Sequence, residues 1–136
     1  MHNSGKNISL NDCRGCAAKI PQFILNQSLI DANLHGFASS PEDSVEIHQN
    51  GKDIILQSLD GFPALVSDPW LNAKITTMHA CSDLWACGAK LSSAQALISL
   101  PKVEREFQSY MFSQSLQGIK STVEDHGGEL LSLIHI

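Results

Sequence analysis

No stretch of the 136 residues is apolar for long enough to cross a bilayer. The longest apolar runs, such as Ala94 to Leu100, are broken by polar residues, whereas a spanning helix takes about 20 apolar residues in a row. The opening residues, MHNSGKNISLND, lack the apolar centre of a signal peptide, which predicts a cytoplasmic chain and no membrane partner. Positive charge is scarce too: 9 Lys and Arg stand against 14 Asp and Glu, a net charge of −5. Nucleic acid is therefore not expected as a partner, because its phosphates need a basic surface. Internal repeats and low-complexity segments are absent. So are the phosphate loop Gly-x4-Gly-Lys-Ser/Thr, the dinucleotide fingerprint Gly-x-Gly-x-x-Gly and the nucleophile elbow Gly-x-Ser-x-Gly.

What is present is an ordinary globular balance, 43% hydrophobic and 17% charged, in a length that suits one domain with a real core. Residues 1–19 are rich in Asn, Ser and Gly without periodicity and read as a mobile arm. Pro21 suits the first turn of a helix running to about Asn33, with Ile24, Leu25, Leu29 and Ile30 on its apolar side. Val45 to His48 and Asp53 to Leu59 read as strands around an Asn50-Gly51 hairpin turn. Ser67-Asp68-Pro69 opens a second helix, with Leu71, Ile75, Met78 and Trp85 at helical spacing and a stop at Gly88. Ala94 to Leu100 reads as a buried strand. A third helix carries Phe107, Met111, Leu116, Ile119 and Val123 to a stop at Gly127-Gly128, and residues from Glu129 begin another strand. The order α-β-β-α-β-α-β predicts an α+β fold, a mixed sheet with helices on one face.

Four cysteines occur, Cys13, Cys16, Cys81 and Cys87, and without an export signal reduced thiols are expected. In Cys13-Arg14-Gly15-Cys16-Ala17-Ala18-Lys19, Arg14 and Lys19 offer cations to stabilise a thiolate, and Gly15 lets the backbone approach a ligand. Spacing alone leaves three readings equally open: a reactive thiol, half of a zinc site, and cysteines without special chemistry. A second cluster is acidic. Glu42 and Asp43 precede the first strand, Asp60 follows the second, and Asp83 interrupts the otherwise uncharged stretch Ile75 to Ala89. Carboxylates gathered from separate elements suit Mg²⁺, a hard cation that bridges protein oxygens to nucleotide phosphates. The plainer reading makes Glu42 and Asp60 turn residues and Asp83 part of a solvated face. His79 lies four residues before Asp83 and Cys87 four after, so all three share a helix face. That face suits a metal, although a lone helical histidine is more commonly a hydrogen-bonded core residue.

Two segments carry a resemblance. Gly15-Cys16-Ala17-Ala18-Lys19-Ile20 resembles the glycine-cysteine-x-x-lysine motif near the start of the selenophosphate synthetases (selenide, water dikinases). His79-Ala80-Cys81-Ser82-Asp83-Leu84-Trp85-Ala86-Cys87-Gly88-Ala89 resembles the helix that this family shares with aminoimidazole ribonucleotide (AIR) synthetase. Between them, Glu42-Asp43-Ser44-Val45 is similar to the family's strand entry, Ser58-Leu59-Asp60-Gly61-Phe62 to its strand exit, and Asp68-Pro69 to its "DDP" or "DNP". The order and gaps agree from Cys13 to about Gly128.

The resemblance implies an AIR synthetase-like N-terminal ATP-binding domain that pairs with a second copy through its strands. It implies Cys16 and Lys19 as catalytic, with Lys19, Glu42, Asp43, Asp60 and Asp83 binding nucleotide and Asp43 and Asp83 holding Mg²⁺. The implied reaction turns ATP, selenide and water into selenophosphate, AMP and phosphate. Residues 1–19 would then be a catalytic arm, disordered without ligand, and 20–131 an incomplete domain.

Departures from the family pattern are Ala18 where many members have a second cysteine, Ser58-Leu59 in place of two threonines, and His79 in place of a common asparagine. The cysteine-arginine-glycine-cysteine form is most similar to members fused behind a pyridine nucleotide-disulfide oxidoreductase, so an upstream flavin domain is expected in the full-length protein. Residues 132–136 depart from the family's "GGH" loop and read as a non-native tail on a truncated chain. Rival readings are another ATP-using synthetase of the same superfamily, a small thiol or metal module using Cys13, Cys16, His79 and Cys81, and a dimerisation domain without turnover.

Overall fold

The three α-helices among the described residues all stop in the same way. In the computed structural model, described for residues 20–37, 44–61 and 63–135, they are α1 (Gln22–Asp31), α2 (Pro69–Ala86) and α3 (Arg105–Asp125). Each is followed by a residue at positive φ: Asn33 at 61°, Gly88 at 74° and Gly127 at 78°. The next amide folds back onto the last turn, Leu34 to Leu29, Ala89 to Leu84 and Gly128 to Val123, at 2.7, 3.0 and 2.9 Å. These Schellman closures satisfy carbonyls that a helix end leaves open. They confirm Gly88 and Gly127 as stops. α2 starts as its residues predict: the Asp68 carboxylate accepts the Leu71 amide at 2.9 Å, and Pro69 takes the first turn.

The chain divides into two units, Met1–Pro41 and Glu42–Ile136. In the first, α1 is followed by a 3₁₀ turn, His35–Phe37, and no α1 residue is buried. In the second, β1 (Val45–Asn50) and β2 (Asp53–Gln57) form an antiparallel hairpin. Its loop residues are Gly51 and Lys52, since Asn50 already pairs with Asp53. The loop is therefore one residue later than Asn50-Gly51, and Gly51, at φ 64°, supplies the positive φ at the first loop position. Ile47 is the extra residue of a bulge between Glu46 and His48.

β3 (Ser93–Ile98) and β4 (Glu129–His135) pair in parallel, joined by α3 as the crossover that parallel strands require. Residues 132–135 belong to β4 and pair along β3. Antiparallel and parallel pairing are both present, as in a mixed sheet, but in two separate two-stranded sheets. The α+β class stands.

The core is small. Ala73 and Cys81 of α2, Leu91, and Ile119 and Val123 of α3 are buried together, with Leu84, Trp85, Ala94, Ala96, Ile98 and Leu130 packed against them. Gly118 lets α2 and α3 approach: a Cβ there would lie 2.5 Å from the Trp70 carbonyl oxygen. The buried Thr122 hydroxyl donates back to the Gly118 carbonyl at 2.7 Å, so this hydroxyl is not stranded at the crossing.

Candidate functional site

The open end of the hairpin meets one face of α2 at two places. Asp60, three residues past β2, places Oδ2 2.8 Å from His79 Nε2. Its other oxygen, Oδ1, accepts the Gly61 amide at 2.7 Å. Ser44, just before β1, places Oγ 3.2 Å from Cys87 Sγ. His79, Asp83 and Cys87 are spaced by four residues, so the two contacts bracket Asp83 on a single stripe of α2. Helical period thus brings three residues into line, and the hairpin brings two more from distant parts of the chain.

Asp83 is half-buried, and its carboxylate carries no hydrogen bond or ion pair among the described residues. This differs from the solvated-face reading, in which the carboxylate would stand in open water. Asp60 and His79 each leave about a third of the side chain exposed, at 33% and 32%. His79 is therefore hydrogen-bonded, as a helical histidine commonly is, but it is not a core residue. A ligand can reach the pair from solvent.

Cys81 lies on the other side of α2, in the core, and burial pushes its thiol pKa up from the ordinary value. A raised pKa means less thiolate, the form that reacts or binds metal. Cys87 is exposed. Among the described residues, no three His, Cys, Asp or Glu side chains converge as a metal shell would. Cys13, Cys16 and Lys19, and Glu42 and Asp43 ahead of β1, lie outside the described residues. Of the residues implied by resemblance, Asp60 and Asp83 are thus the two that the structure positions. Ser44 was not anticipated; its contact spans 43 residues of sequence, and no local pattern signals it.

The segment that carries this geometry matches a known domain family. Residues 41–132 match the family described as AIR synthase related protein, N-terminal domain, so the chain belongs to that family. Its curated relatives include selenide, water dikinases. That of Aliarcobacter butzleri is 28% identical over 137 residues, covering 96% of this chain and 39% of its own length. That of Clostridium botulinum strain Alaska E43 is 31% identical over 107 residues, covering 74% and 31%. That of Myxococcus xanthus is 30% identical over 129 residues, covering 90% and 36%. The chain accordingly spans about two fifths or less of the length of these relatives.

Proposed function

We propose that this chain is the ATP-binding part of a selenophosphate synthetase, which uses ATP, selenide and water to make selenophosphate with release of AMP and phosphate. The observation that carries the reading is the Cys16-x-x-Lys19 motif standing N-terminal to an AIR synthase-related domain that begins at residue 41. The names of the relatives support it. The same motif argues against another synthetase of the superfamily, and the buried Cys81 argues against a zinc module built on it.

In this reading Asp83 and Asp43 hold Mg²⁺ at the phosphates of ATP, while Asp60 and Glu42 contact the nucleotide. The donor chemistry fits: Mg²⁺ takes hard oxygen ligands, and Asp83 offers a half-buried carboxylate with no described protein partner. When bound, the metal supplies neutralisation of phosphate charge. Lys19 brings a cation to the transferred phosphoryl group. Cys16 handles selenium or guards the intermediate. Closure of the arm over bound ATP would bring Lys19 to the phosphates and Cys16 to the selenium entry point, and exclude water. The protein would work as a cytoplasmic homodimer paired through strands, and an upstream flavin oxidoreductase domain belongs to the same proposal.

The test is Mg²⁺-dependent ATP binding by calorimetry. Asp83→Asn removes a ligand charge and should weaken Mg-ATP by about tenfold or more. Folding stability should change by no more than about 0.5 kcal/mol. An isotherm identical to that of the unsubstituted chain sinks the assignment. In a protein of the relatives' full length, Cys16→Ser and Lys19→Ala should remove selenide-dependent AMP formation, and Cys13→Ser should be milder.

A further inference from the structure

We infer that His79 is a positioning residue that holds the Asp60 carboxylate beside Asp83 for a magnesium nucleotide, an inference that rests on the nucleotide reading of the site. Asp60 stands in the irregular segment after β2, between Leu59, which is 95% exposed, and Gly61, itself exposed. The described residues 58–61 belong to no helix or strand, so no strand ladder holds Asp60 in place. His79, by contrast, is on α2, which is tied into the core through Ala73 and Cys81. Its Nε2–H donates to Asp60 Oδ2 at 2.8 Å, while the Gly61 amide donates to Oδ1 at 2.7 Å. Two donors at two oxygens fix both the place and the plane of the carboxylate.

Because His79 and Asp83 are one helical turn apart, Asp60 is kept next to the α2 face that carries Asp83. A loop carboxylate held in this way loses less conformational freedom when a ligand arrives. Both partners remain about one third exposed, 32% for His79 and 33% for Asp60, so the latch does not seal the carboxylate from ligand. Cys87, at the far end of the stripe, makes the parallel contact to Ser44, so the hairpin's two ends are pinned one turn to either side of Asp83.

The experiment compares His79→Leu, which removes the donor, with His79→Gln, whose amide donor reaches about as far as Nε2. Two readouts are taken on the same chain. Hydrogen exchange of the Gly61 amide, which needs no ligand, should accelerate in His79→Leu and return towards the original rate in His79→Gln. Amides in the middle of α2 should keep their protection in both. Calorimetry should show Mg-ATP weakened about tenfold by His79→Leu and largely restored by His79→Gln. In an Asp60→Ala background, His79→Leu should have no further effect on affinity, because His79 acts through Asp60.

Additive losses in that double variant overturn the inference, as does unchanged Gly61 exchange in His79→Leu. Failure of the Gln variant to recover either readout also overturns it. An unsubstituted chain that binds no Mg-ATP overturns the nucleotide reading instead, and Gly61 exchange then decides the positioning role alone.

Discussion

Between Pro69 and Leu130 a subset of the apolar side chains shares a buried interior, whereas between Val45 and Gln57 no apolar side chain is buried. In the first region Val123 is fully buried and Ala73, Cys81, Leu91 and Ile119 are nearly so. In the second, Val45, Ile47, Ile54 and Ile55 are all half exposed. Ile54 and Ile55 are neighbours on one strand, so their side chains point to opposite faces. Neither face of the hairpin is fully covered by the other described residues. Two-stranded hairpins are marginal alone in water. Among the described residues, this one is pinned at its open end by the Asp60–His79 and Ser44–Cys87 contacts. One region holds the buried core, and the other is exposed and held at its open end.

The sharpest way to break the first region is at Gly118. Any larger side chain there meets the Trp70 carbonyl oxygen and the Ala73 side chain, neither of which is a flexible tip. Gly118→Val should therefore force α2 and α3 apart and cost about 3 kcal/mol. Urea unfolding should show a lower midpoint with an unchanged slope. A midpoint equal to that of the unsubstituted chain would mean that the helices do not cross at this residue.

The same contrast explains what could be read from the residues alone. Helix ends were legible because their chemistry is local: Asp68 and Pro69 at the start of α2, Gly88 and Gly127 beyond the stops. The line of His79, Asp83 and Cys87 was legible from helical period. The hairpin was expected, yet its loop fell one residue later than Asn50-Gly51 and its bulge at Ile47 left no local sign. Gly118 was silent because a helix-internal glycine acquires meaning only from what crosses it. The Asp60–His79 and Ser44–Cys87 pairs were illegible for the same reason, as each joins residues far apart in sequence. Resemblance, not periodicity, supplied the roles of Cys16, Lys19 and the carboxylates.

A smaller effect is expected where the first region meets solvent. The Asp68 carboxylate caps α2 by accepting the Leu71 amide, and its charge also suits the positive end of the helix. Asp68→Ala should cost about 1 kcal/mol, and Asp68→Asn, which keeps the acceptor, appreciably less. Thermal melts of the two variants check this. Equal losses would indicate that charge rather than the hydrogen bond dominates, and no loss in either would remove the cap from the account.

The smallest effect on stability, and the most informative about the second region, is expected at Ile55. This side chain is 50% exposed, pairs across the hairpin with His48, and lies away from both pinned contacts. In a lone chain, Ile55→Lys should change stability by no more than about 0.5 kcal/mol, since an exposed strand position gives up little burial. If a second copy covers the hairpin, as the proposed dimer requires, the same substitution places two ammonium groups in an apolar seam. Burying unpaired charge is expensive, so the dimer should dissociate while each chain stays folded. Sedimentation velocity with a parallel thermal melt separates the cases: a shift from dimer to monomer with a preserved melt is expected. A chain that is already monomeric at high concentration rules out strand-mediated pairing. An Ile55→Lys variant that still dimerises would move the interface away from this face of the hairpin, and a collapsed melt would show that Ile55 serves the chain's own core after all.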